Sequence, residues 1–219
     1  MKTLVSILVG STLALGANAA TLSYSFSNPL QLTDFTQTGN LGLFDTSLGT
    51  LTGATLVVNG GAEMRFSGSN TSTQQQIATL TSSVDLLWSS SLASLTPFLV
   101  DTIQMSATSG SQSFAGGETK SFGLFAISDS YTDDLATVLA ALQANGGGSF
   151  GVSCNSLSGF LIAGGGGYIS STSSSQAQCG ASILYTYVDK PTINVPEPAS
   201  MALFGIGLAG LGFSRRKKA

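Results

Sequence analysis

Histidine is missing from all 219 residues, which excludes a Ser-His-Asp or Cys-His catalytic set and any His-ligated metal. Positive charge is nearly as scarce. Between Ala20 and Val195 the only basic residues are Arg65, Lys120 and Lys190, against ten acids, a net of −7. A surface this poor in cations has no electrostatic footprint for DNA, RNA or anionic lipid, so nucleic acid is set aside as a partner. Neither a P-loop nor a strand-associated Rossmann fingerprint occurs, and no cofactor is implied. Tryptophan appears once, at Trp88, and cysteine twice, at Cys154 and Cys179.

What the chain does have is an address at each end. Lys2 precedes an apolar run from Leu4 to Leu15, and Ala17-Asn18-Ala19 supplies the small residues that a signal peptidase needs. Residues 1–19 therefore read as a secretory signal peptide, with Ala17 and Ala19 marking the cleavage site. At the other end Pro196, Glu197 and Pro198 stop any preceding element. An apolar stretch from Ala199 to Phe213 follows, and Arg215, Arg216, Lys217 and Lys218 nearly close the chain. As a helix that stretch would be roughly 22 Å long, short of the ~30 Å hydrocarbon core of a bilayer. The basic cluster would hold its end on the cytoplasmic side and leave the body outside.

This order of parts resembles a PEP-CTERM sorting tail, the substrate of an exosortase in Gram-negative bacteria that make extracellular polysaccharide. The resemblance implies a linker over 191–198, a transmembrane helix over 199–214 and a basic cytoplasmic tail over 215–219. It also implies residence in the inner membrane until the chain is cut near Pro-Glu-Pro, and then release or transfer of the body to the cell surface or exterior. An ordinary C-terminal anchor is the alternative.

Removing both ends, after Ala19 and near Val195, leaves about 175 residues, the size of one domain, which is expected over 20–190. In an oxidising exterior Cys154 and Cys179 are expected to form a disulfide. Its loop of about 26 residues corresponds to roughly 3.5 kcal/mol in the chain-entropy model. The alternative, a reactive thiol, has no histidine or neighbouring cation to lower its pKa.

The body reads as short strands separated by turn chemistry. Leu22, Tyr24 and Phe26 alternate with serines, the period of a half-buried or edge strand. Asn28-Pro29 breaks it, and a second run spans Leu30 to Gln37. A turn at Asp45 to Gly49 leads into a strand from Leu51 to Asn59, and Asn59-Gly60-Gly61 predicts a hairpin with Glu63 to Ser67 returning antiparallel. Ala78, Leu80, Val84, Leu86 and Trp88 share parity in the next strand. Trp88 is read as core, with a sugar platform as the alternative. Phe98 to Thr108 and Ser121 to Ile127 follow, the second apolar on both faces and expected at the centre of a sheet. Leu135, Val138, Leu139 and Leu142 fall at helical spacing behind Thr132-Asp133-Asp134, predicting one short amphipathic helix that stops at Asn145-Gly146. Phe150 to Val152, Gly159 to Ala163 and Ile183 to Val188 supply the last strands. The fold class is mainly β, an antiparallel β-sandwich of jelly-roll type with that one helix.

Phe44-Asp45, Leu48-Gly49-Thr50-Leu51 and the strand from Ala54 to Val58 resemble the opening of the choice-of-anchor E domain, a bacterial surface module. Tyr24-Ser25-Phe26, Pro29 and Leu184-Tyr185-Thr186-Tyr187 stand where that family would have them. The resemblance implies a β-rich exported domain with no assigned activity.

Asp129, Asp133 and Asp134 form the one carboxylate cluster. With Ser128 and Ser130 they could offer oxygens to Ca²⁺, but acids in the first turn of a helix are the more economical reading, and no metal site is expected. No spacing singles out a carboxylate pair for glycoside hydrolysis. Two functions follow as expectations. The first is a non-catalytic surface or matrix protein associated with extracellular polysaccharide. The second is a carbohydrate-active enzyme or carbohydrate-binding adhesin.

Overall fold

The computed structural model describes residues 19–190. The expected signal peptide through Asn18, including Ala17, the Pro-Glu-Pro motif, the apolar helix and the basic tail lie outside those residues.

Eleven strands follow one another: β1 (Ala19–Ser27), β2 (Gln31–Leu32), β3 (Thr36–Gly42), β4 (Phe44–Asp45), β5 (Gly49–Asn70), β6 (Gln76–Ser90), β7 (Ile103–Phe114), β8 (Thr119–Asp134), β9 (Gln143–Ala144), β10 (Ser149–Gly164) and β11 (Ile169–Asp189). One sheet has the order β1-β11-β5-β8, with β2 added beside β11, and the other the order β3-β10-β6-β7. Ranked by position among the eight long strands, the first sheet holds the first, eighth, third and sixth. The second holds the second, seventh, fourth and fifth. That interleaving of two antiparallel sheets is the jelly roll. β4 and β9 form a short parallel pair of their own.

The core lies between the sheets. Leu56, Val58, Ala62, Met64 and Phe66 of β5 and Ala177, Cys179, Ala181, Ile183 and Tyr185 of β11 are buried in the first sheet. Ala78, Leu80, Val84, Leu86 and Trp88 of β6 and Phe150, Val152 and Cys154 of β10 are buried in the second. Each set has the period of two that a strand dictates. Trp88 is thus a core residue, and Leu22, Tyr24 and Phe26 pack their side of β1 against the core.

Five expectations are corrected. Asn59-Gly60-Gly61 makes no turn, because β5 runs through it for 22 residues and pairs with β11 from Gly49 to Asn70. A Cβ on Gly60 would collide with the Leu86 side chain of the opposite sheet, so the glycine serves close approach between the layers. The segment Ser121 to Ile127 belongs to β8 at the edge of its sheet. Its second apolar face comes from a bulge in which Gly123 and Leu124 stand opposite Arg65, bringing both Phe122 and Phe125 inward against Phe66. The expected helix is a broken 3₁₀ segment, Ala136–Leu142, interrupted at Val138, since β8 carries extended backbone through Asp134. Phe98 to Thr108 splits into the end of a 3₁₀ turn, Ala93–Phe98, and the start of β7 at Ile103. The segments from Phe150 and Gly159 are parts of a single strand, β10.

Candidate functional site

Cys154 on β10 and Cys179 on β11 are joined as a disulfide, Cα to Cα 6.4 Å. Because the two strands lie in different sheets, the bond staples the sandwich across its core. Gln37 of β3 braces the same region. Its Oε1 accepts the Cys179 N–H at 2.9 Å, and its Nε2 donates to the Pro29 carbonyl at 2.8 Å. These bonds satisfy an amide that would otherwise be costly to bury.

The carboxylates take other places than a helix cap. Asp129, Asp133 and Asp134 all stand in β8, with Asp133 opposite Leu56 on the side that faces the second sheet. Asp134 Oδ1 accepts the Ala136 N–H at 2.9 Å, a turn-forming bond. Burial, then the nearby Asp101 charge, holds the Asp133 carboxyl above its ordinary range. Burial first, then Asp133 and Asp101, raises the Tyr131 hydroxyl as well. Both the Tyr131 hydroxyl and Asp133 Oδ2 are buried with no hydrogen-bond partner among the described residues. Asp101, two residues before β7, is the member that sequence reading misses, since nothing in a spacing of 32 residues announces the pairing. Among the described residues no three His, Cys, Asp or Glu side chains converge as a metal site.

A second feature is built by hydroxyls. β3 pairs with β10 only from Ser149 to Asn155, and β1 and β2 pair with β11 only from Gln176 onward. Past those points one flank of the sandwich stands open, and the far halves of β10 and β11 are its two lips. The cleft there has a volume of about 370 Å³ and is lined by Leu32, Thr33, Ser158, Phe160 and the run Ser173 to Ser175. Behind the lining residues Ser82 of β6 is fully buried, its Oγ 3.3 Å from that of Ser175 and 3.5 Å from that of Ser173. Asp34 closes the upper end. It holds a left-handed φ of 66° while its Oδ1 accepts the Ser158 N–H at 2.9 Å and the Ser158 hydroxyl at 3.2 Å. Ser156 Oγ accepts the N–H groups of Asp34 and Phe35, which fixes this turn. Ser173 to Ser175 thereby form one lip of the cleft.

Residues 194–217 match the PEP-CTERM protein-sorting motif. The chain carries an exosortase sorting signal. That signal marks a protein exported and sorted to the cell surface through the membrane, with an exosortase as its processing partner. Among the described residues no helix is long and apolar enough to cross a membrane. No curated protein matches the chain. Among solved structures it is similar to chains of the infectious bursal disease virus Gx strain, at 11% identity over 86% of this chain and 48% of that one, with a TM-score of 0.17. The virus's T13 particle gives 12% identity over 86% and 46%, with a TM-score of 0.15. The chain thus spans about half the length of those it matches, and scores this low carry no argument.

Proposed function

We propose that this chain is an exported surface or matrix protein of a Gram-negative bacterium, whose body, resembling the choice-of-anchor E domain, has a non-catalytic role in association with extracellular polysaccharide. The observation that carries the reading is the sorting motif at 194–217. The lack of histidine in the whole sequence supports the non-catalytic part, since it removes the commonest general base. A polar surface built on serine and threonine rather than on charge suits a hydrated polymer matrix.

The test is to incubate protein recovered from the cell exterior with the producer's own polysaccharide and to measure both co-sedimentation and reducing ends. Binding without new reducing ends is the expected result.

One observation favours a second reading, a carbohydrate-active enzyme. Asp133, held toward its protonated form, lies within electrostatic reach of Asp101, and glycoside hydrolysis needs one acid kept neutral beside one ionised. Release of reducing ends that is abolished by Asp133→Asn would establish that reading in place of the first.

A further inference from the structure

We infer that the serine-lined cleft between β10 and β11 is a binding site for a neutral glycan segment. The inference rests on the polysaccharide-associated reading above and names the place where the contact is made.

The first argument comes from where the core changes chemistry. Inward-facing positions along β6 are Ala78, Leu80, Val84, Leu86 and Trp88, but Ser82 interrupts them. On β10 the inward series from Phe150 through Cys154 turns to Ser156 and Ser158 before Phe160. On β11 the series from Tyr185 back through Ala177 turns to Ser175, Ser173 and Ser171. The hydroxyls of the three strands gather near the open flank, Ser82 standing opposite Phe160 in the ladder with its Oγ toward those of Ser173 and Ser175. Ser82 is fully buried between Leu80 and Val84, and its hydroxyl, which would be costly to bury alone, is bonded to those of Ser175 and Ser173, so the cluster is joined from core to cleft. A serine hydroxyl is one donor and two acceptors on a rotatable bond, so a cluster of them can reorient to meet the hydroxyls of a sugar.

The second argument is the wall. Phe160 packs edge-on against Phe66, ring centroids 5.8 Å apart, and it remains partly exposed in the cleft. An aromatic ring beside hydroxyls offers an apolar surface for the C–H face of a pyranose along with bonding partners for its edge.

The third is charge. No lysine, arginine or glutamate lines the cleft, and the acid at its rim, Asp34, has one oxygen engaged by Ser158. Asp34 Oδ2 makes no hydrogen bond with the described residues and could accept from a ligand hydroxyl. Arg65, opposite Ser174, stands exposed on the outer face of β5 and does not line the cleft, so an anionic polymer seated in it would meet Asp34 without a cation among the lining residues. Along the cleft the outer edges of β10 after Ser156 and of β11 before Ser175 pair with no strand among the described residues, which adds backbone donors and acceptors to the lips.

The test uses protein recovered from the cell exterior. The producer's polysaccharide is split by anion exchange into neutral and acidic pools, and binding to each is measured by calorimetry. Unmodified protein should bind the neutral pool. The double variant Ser158→Ala with Ser173→Ala should weaken that binding by about tenfold. Ser173→Phe, which fills the cleft, should abolish it. Thr38→Ala, on the outer face of the second sheet, should leave it unchanged. Thermal unfolding of each variant separates loss of the site from loss of the fold. If unmodified protein binds the neutral pool and the cleft variants bind it equally well, the cleft is not the site, although the polysaccharide reading stands. Binding of the acidic pool alone, or competition by an unstructured peptide instead of neutral oligosaccharide, overturns the site as well. No binding to either pool overturns both.

Discussion

Ala19, the first residue of β1, stands directly opposite Val188, one residue before the end of β11. The chain therefore enters and leaves the sandwich at the same end, through two strands that are paired to each other. A signal peptidase cutting after Ala19 would act on a bond that belongs to the β1–β11 ladder, and a protease needs its substrate extended and unpaired. Cleavage is then expected before β1 docks. Purified precursor should be cut slowly by signal peptidase when folded and quickly after dilution from urea. Equal rates would show that β1 is open in the folded precursor.

Sorting by removal predicts a specific terminus. Intact-mass analysis of protein from the cell exterior should show a C-terminus near Val195 and none of Ala199 to Ala219. Replacing Pro196, Glu197 and Pro198 with alanines should leave an uncut, membrane-held form, and deleting Arg215 to Lys218 should weaken retention in the inner membrane. Mature surface protein that still carries the basic terminus would point to a simple anchor.

The Cys154–Cys179 bond joins two buried side chains in facing sheets. Replacing both with serine should lower stability by roughly 3.5 kcal/mol, read as a reduced denaturation midpoint with an intact β-type circular dichroism spectrum. A midpoint unchanged by the double substitution would mean that the core, without the staple, sets the stability.

Gly60 lies under Leu86 of the facing sheet. Leu86 is fully buried and has no room to withdraw. Gly60→Ala should therefore destabilise by about 1–3 kcal/mol, as overpacking does. Were the glycine needed for a turn, the change would instead disturb strand pairing, and amide exchange along Leu56 to Met64 distinguishes the two.

Asp133 gives a pH dependence with a definite sign. Its folded-state pKa is raised by burial and then by Asp101, so between the ordinary carboxylate value and that raised value the folded state binds more protons than the unfolded one. Stability then falls as pH rises through that window. Asp133→Asn should be the more stable protein at neutral pH, and its advantage should vanish below about pH 3, where the carboxyl is protonated in both states. Urea midpoints across that range measure it. A parent protein that is equally stable or more stable at neutral pH would refute the assignment.

The sequence by itself determined the properties that depend on local composition and period. Export, the sorting tail, the absence of histidine chemistry, the two-residue alternation of β1 and β6 and the core place of Trp88 all follow from residues near one another in the chain. The cysteine pairing was legible for a related reason, because only two thiols exist. Turn chemistry misled where glycine served a different purpose. Gly60 reads as a hairpin because positive φ and close approach select the same residue, and only the facing Leu86 tells them apart. The paired apolar faces of Ser121 to Ile127 likewise hid a bulge, since the extra residue inverts parity without a local signal. Tertiary structure alone decided the cleft and the meeting of Asp101 with Asp133. Ser82, Ser158 and Ser173 come from three strands in two sheets, and each is unremarked in a chain so rich in serine. They become a site only because β1, β2 and β3 stop short of the far halves of β10 and β11, which is a fact of pairing register and not of any one segment.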